Sequence, residues 1–348
     1  MESIKTAMKV FTDYRDRYRR NARCRARYMA RFVHITSRKN KHQRTDRRKT
    51  GSPSIEEEEA LQNSIVHALK SGYRLIDTAQ HYNVEHVVGR AIRASGVPRS
   101  EITVVTKFGG EWHHDPAAAL SISLAQLELD YIDVFLMHWP WAVTPAPEKK
   151  MLRKSEAPTF TDTWTLMEDL VGPRCRAIGL SNFAQKTIDE LLETARIIPA
   201  VNQIEMHAFL PCNKLVPYCQ AKNIHVMSWG TLGGHRAPND ILTHELFKSI
   251  ADAHGVSTGV VHLSWAVQLG VTVIPMSSKT QRIEQNIKLV KLSEEEMDKM
   301  NNAHKTIKSE RRAKNIESMK MVVDGKETLQ GWTWQDFGWD DEEGNNLS

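Results

Sequence analysis

The sequence predicts a parallel α/β protein, and three observations carry that expectation. Short β-branched runs, apolar on both faces, recur along the chain. Amphipathic segments of helical length separate them. Several runs end in a titratable side chain: Asp77 in YRLIDTAQHY, Lys107 in EITVVTK and His138 in DVFLMHW. Runs of this kind read as buried parallel strands. Their alternation with helices places the sheet inside a helical coat.

The elements follow in order. Ser54 followed by Glu57 fits a capping box, opening a helix to about Lys70 that Gly72 stops. Strand-like runs lie at residues 73–79, 101–107, 133–139, 176–181, 200–206, 225–230 and 271–277. Amphipathic segments fall between them at residues 85–95, 116–129 and 185–194. A barrel of eight strand–helix units takes about 250 residues, so one barrel nearly fills a chain of 348. Residues 53–348 are expected to form it, with a C-terminal tail loop.

Residues 1–52 are expected to be a basic, disordered arm. Net charge is +5 overall, but residues 1–50 hold 17 Lys/Arg against 4 Asp/Glu. The remainder holds 30 against 38 and is acidic. An Arg-rich arm suits a nucleic-acid or anionic surface, or a transit peptide. A solvated extension is the plainer reading, and no RNA-binding signature favours nucleic acid as a partner. No stretch approaches the roughly 20 apolar residues of a membrane helix. Cys24, Cys175, Cys212 and Cys219 show no paired zinc spacing. Without an apolar signal at the N-terminus they read as reduced thiols in a cytoplasmic protein. His113 and His114 lack partners at ligand spacing, so no metal site is expected.

In a parallel barrel the active site lies at the carboxyl ends of the strands. Asp77, Tyr82, Lys107 and His138 would then share one rim. That set suits carbonyl reduction, which needs a proton donor for a developing alkoxide. Tyr82 is the natural acid. A free phenol titrates near pH ~10, and a nearby cation lowers that value. Lys107 can supply the cation, Asp77 can hold Lys107, and His138 can donate to the carbonyl. Singly, each has an ordinary role as a turn residue, a half-buried aromatic, a solvated lysine or a core histidine.

Five segments in order, GYRLIDTAxxY, VVTK, LMHWP, RAIGLSNF and VNQIEMH, resemble the aldo-keto reductase family, fungal members included. The resemblance runs from about Pro53 to near the C-terminus. It implies a (β/α)8 TIM barrel and an oxidoreductase that reduces an aldehyde or ketone with NADP(H). It assigns Asp77, Tyr82, Lys107 and His138 as the catalytic tetrad. It places the cofactor against Ser181, Asn182, Gln203, Trp229 and Leu232, with Trp229 as the aromatic stacking platform. The last strand runs into IPMSSKTQRIEQN, which resembles the site for an adenosine 2′-phosphate. Ser277 and Arg282 match there, and Gln285 and Asn286 suit adenine. Met276 stands where many relatives have lysine, which weakens NADP(H) over NAD(H) without reversing it. There is no G-x-G-x-x-G fingerprint, so a Rossmann site is not expected. Trp112 and Trp139 are expected to line the substrate mouth, with Trp332 and Trp334 closing it.

One departure stands out. The family opens with a strand and a glycine-rich turn before the first helix, and here RTDRRKTGSPS occupies that place. RFVHIT, residues 31–36, is the only candidate replacement strand. The alternative reading is therefore a catalytically impaired, cofactor-binding barrel acting as an interaction or regulatory subunit. The sequence names neither the substrate, the direction nor the oligomeric state.

Overall fold

The computed structural model describes residues 32–34, 54–234, 239–307 and 319–339. Apart from the first of these stretches, the basic arm lies outside the described residues. Eight strands follow in order: β1 Phe32–His34, β2 Leu75–Asp77, β3 Thr103–Phe108, β4 Val134–Met137, β5 Ile178–Ser181, β6 Val201–Glu205, β7 His225–Trp229 and β8 Thr272–Val273. They form one parallel sheet in the order β1 to β8. The sheet curls, so that β1 lies beside β8 at the seam. This is the (β/α)8 barrel that the sequence predicts.

All seven expected strand regions are present, and the eighth strand comes from RFVHIT. Phe32, Val33 and His34 pair in parallel with Leu75, Ile76 and Asp77. The expected gap is therefore filled from upstream, and the sheet reaches back into the segment expected to be an arm.

The helices are α1 Ile55–Lys70, α2 Glu85–Ser95, α3 Pro116–Leu127, α4 Phe160–Glu168, α5 Gln185–Leu192, α6 Leu215–Ala221, α7 Asp240–Thr243, α8 Glu245–His254, α9 Thr258–Gln268, α10 Thr280–Asn286 and α11 Glu294–Thr306. A hairpin, β9 Lys320–Val323 and β10 Lys326–Leu329, and a short helix, α12 Trp334–Phe337, complete the tail. Helix α1 begins where the capping box places it: Ser54 Oγ accepts from Glu57 N at 3.3 Å, and Glu57 accepts from Ser54 N at 2.9 Å.

Strand alternation decides what each rim residue faces. Thr106 and Phe108 point outward, where Thr106 bonds Glu85 of α2 and Phe108 packs on Phe135. Lys107 therefore points into the barrel, where it meets Asp77. His138, one step beyond β4, points the same way and meets Tyr82.

Candidate active site

Asp77 and Lys107 form an ion pair at the carboxyl ends of β2 and β3. Lys107 Nζ donates to Asp77 Oδ2 at 2.8 Å and to Thr78 O at 2.7 Å, and both side chains are fully buried. The other carboxylate oxygen, Oδ1, accepts from Gln203 Nε2 at 2.6 Å. Two of the three Lys107 N–H groups are thus used among the described residues. Tyr82 sits on a 3-10 turn, Gln80–Tyr82, just past β2. Lys107 Nζ lies 5.2 Å from its ring centroid. The His138 ring meets it edge-on, with centroids 5.8 Å apart. All four predicted residues are brought together.

The electrostatics depart from expectation at one point. Lys107 was expected to lower the Tyr82 pKa. Instead burial, and secondly the charge of Asp77, hold the phenol well above its ordinary value. The Lys107 ammonium is already matched by Asp77, so the net local charge does not favour phenolate. Burial also pushes Lys107 down, opposed by the charge and hydrogen bond of Asp77 and by Glu85. Burial raises Glu85, with bonds from Thr106 and Ser123 opposing.

The predicted cofactor residues divide into two groups. Ser181, Asn182, Gln203 and Trp229 join the rim directly. Ser181 Oγ donates to Gln203 O at 3.0 Å, Asn182 Nδ2 donates to His138 O at 3.0 Å, and Trp229 Nε1 donates to Asn182 Oδ1 at 3.0 Å. Gln203 Oε1 takes no hydrogen bond among the described residues, and the Trp229 ring is half-buried. A free amide acceptor beside a partly open indole fits a nicotinamide carboxamide. The loop after Trp229 turns through Gly230 and Gly233 at φ +69° and +85°. Side chains rarely adopt that backbone, and Leu232 lies half-buried within it.

Ser277, Arg282, Gln285 and Asn286 form the second group, on and before α10. Arg282 is exposed and makes no ion pair among the described residues, while Asn286 is buried. A free guanidinium suits a phosphate. Tyr73, at the foot of β2, pins this helix by donating to Ile283 O at 2.8 Å. Sequence reasoning did not find that link, because the partners lie 210 residues apart.

The aromatic mouth differs in part from its prediction. Trp139 stacks on Trp141 with centroids 4.2 Å apart and meets Trp339 edge-on at 6.2 Å. Trp112 is half-buried and stacks on His114. Trp332 does not close the mouth. It is buried, donates to Leu152 O at 3.0 Å and packs on Phe160. Trp339 is the tail residue that reaches Trp139. Two features were missed in the sequence: Glu85, behind β3, and Glu111, over Gly109. Among the described residues no group of three or more His, Cys, Asp or Glu could hold a metal ion, and no helix is long and apolar enough to cross a membrane.

Comparison with known proteins agrees with this geometry. A sequence model of the Aldo/keto reductase family matches residues 46–305. The chain is 40% identical over 258 residues to glycerol 2-dehydrogenase (NADP(+)) of Saccharomyces cerevisiae, covering 70% of this chain and 82% of that one. It is 37% identical over 250 residues to glyoxal reductase of Bacillus subtilis, covering 70% and 83%. The structure of an aldose reductase from Giardia lamblia superposes with a TM-score of 0.67 at 34% identity, covering 73% of this chain and 90% of that one. With the barrel, the rim and these relatives in agreement, the chain belongs to the aldo/keto reductase family of oxidoreductases.

Proposed function

We propose that the protein reduces an aldehyde or ketone to an alcohol with NADP(H) as hydride source, Tyr82 giving the proton. The observation that carries this reading is the buried Lys107–Asp77 pair beneath Tyr82 and His138 on one rim. When bound, the nicotinamide supplies the hydride. Ser181, Asn182 and Gln203 would hold its carboxamide and Trp229 its ring face. Arg282 and Ser277 would take the 2′-phosphate, and Gln285 and Asn286 the adenine. NADP(+)-dependence in the name of the yeast relative supports that choice.

The residues of this chain do the rest. His138 donates to the carbonyl oxygen and orients it. Tyr82 has a raised pKa, so it carries its proton throughout the neutral range. A weak acid of this kind transfers the proton only as the alkoxide develops, with Lys107 steadying the phenolate that remains. Asp77 keeps Lys107 in place and is itself held by Gln203. The apolar walls of Trp139, Trp141 and Trp339 exclude water.

Purified protein titrated with NADPH should show quenching of tryptophan fluorescence, and should then oxidise NADPH with a panel of small aldehydes. Tight binding without turnover of any aldehyde would overturn the assignment.

A further inference from the structure

The loop that leaves β3 carries an acid, Glu111, that makes no hydrogen bond or ion pair among the described residues. Inward-facing positions on β3 alternate, so Gly109 shares the face of Lys107. The register pairs Lys107 with Leu136 and Phe108 with Met137, which sets Gly109 level with His138. Gly109 keeps an extended backbone, φ −85° and ψ 172°. A methyl built on it would lie 2.4 Å from Glu111 Oε2 and 3.0 Å from Oε1. The carboxylate of Glu111 thus fills the place of the side chain that Gly109 lacks. It is half-buried and takes no hydrogen bond or ion pair among the described residues. Trp112 stands next to it on the same loop. The neighbouring Gly110 is fixed against the loop after β4, its carbonyl accepting from Val143 N at 3.0 Å.

We infer that Glu111 selects the substrate: it favours carbonyl compounds bearing a hydroxyl on the carbon next to the carbonyl, and rejects those bearing a carboxylate there. This rests on the reductase reading above. Adjacent strands are about 4.8 Å apart, so an acid level with His138 reaches the substituent beside the carbonyl that His138 orients. A carboxylate accepts strongly from a hydroxyl, a bond to a charged group changing affinity by roughly tenfold or more. Facing a second carboxylate it repels at least as strongly.

The test compares kcat/KM at saturating NADPH for glyceraldehyde, butanal and glyoxylate. The wild type should rank glyceraldehyde far above glyoxylate. In Glu111→Ala, glyceraldehyde should fall about tenfold, butanal should stay within about threefold, and glyoxylate should rise. Glu111→Gln should raise glyoxylate with a smaller loss on glyceraldehyde. Gly109→Ala, which must displace the carboxylate, should move the ratios the same way with residue 111 intact. Turnover with ratios unchanged in all three variants overturns the inference alone. Failure of the wild type to reduce any of the three carbonyls overturns the reductase reading along with it.

Discussion

Two buried carboxylates at opposite ends of the barrel, Asp133 just before β4 and Asp77 at the end of β2, are partnered in different ways. At the amino ends, Asp133 accepts from Arg99 Nη2 and Val104 N on one oxygen, at 2.7 and 2.9 Å, and from Arg176 Nη1 on the other at 3.1 Å. Both guanidinium groups lie over the Tyr131 ring, 4.0 and 3.6 Å from its centroid. Every oxygen is matched, and the two cations keep contact with water. At the carboxyl ends, Asp77 holds one ammonium in full burial, and that ammonium makes two hydrogen bonds among the described residues and lies 5.2 Å from the Tyr82 ring centroid. The lower cluster matches both carboxylate oxygens and ties three strands together, with Arg99 Nε the one buried donor in it that takes no partner among the described residues. In a parallel barrel the lower rim serves stability and the upper rim serves chemistry, and the difference here is that the Asp133 cations keep contact with water while the Asp77 cation is fully buried beside Tyr82.

Tyr82→Phe should break the upper rim as chemistry while leaving it intact as structure. Losing a general acid costs about 10²–10⁴-fold in kcat, with NADPH affinity and melting temperature nearly unchanged. Retention of most of the activity would remove Tyr82 from its role. Lys107→Met should lower turnover and stability together. It strands Asp77 in full burial, and breaking such a pair costs about 3–5 kcal/mol. Urea unfolding and the pH–rate profile measure the two effects, and a profile identical to wild type would deny the coupling to Tyr82.

Arg282 sharpens the comparison, as an exposed cation that makes no ion pair among the described residues. Arg282→Ala should weaken NADPH by about 10–150-fold, the equivalent of losing one charge-assisted bond, and NADH little. Equal losses would show that it does not read the phosphate. Asp133→Asn should do the reverse of these rim variants, costing about 1–3 kcal/mol of stability with kcat unchanged for the folded fraction. The smallest effect belongs to a half-buried pair between two outer helices. Glu58 bridges Arg90 and His86 between α1 and α2, and Arg90, then His86, hold its pKa below the ordinary value. Its contribution is present above the unfolded-state pKa and is lost as pH falls through the folded one. Arg90→Ala should cost about 0.5 kcal/mol at neutral pH, with the cost shrinking in acid.

Much of the fold was legible because periodicity is local. The apolar runs, the Ser54–Glu57 cap and the order of strand-end residues need no knowledge of the rest of the chain. The four rim residues were legible for the same reason, since parallel strands bring their carboxyl ends together whatever their spacing in sequence. By itself the sequence determined the fold class, the rim and the side chains available on it.

Tertiary structure alone decided how those side chains are matched. Gln203 secures Asp77 across 126 residues, and Tyr73 pins α10 across 210. Trp332 goes to the core while Trp339 goes to the mouth, because the turn of the tail, not its composition, sets which indole reaches Trp139. The Tyr82 phenol rises where a neighbouring lysine suggested it would fall, because burial and then the charge of Asp77 disfavour phenolate. Phe32–His34, within the RFVHIT segment that the sequence offers as the one candidate first strand, completes the sheet because the edge of β2 is there to pair with it. Pairings, burial and field depend on distances through space, and those exist only once the barrel has curled.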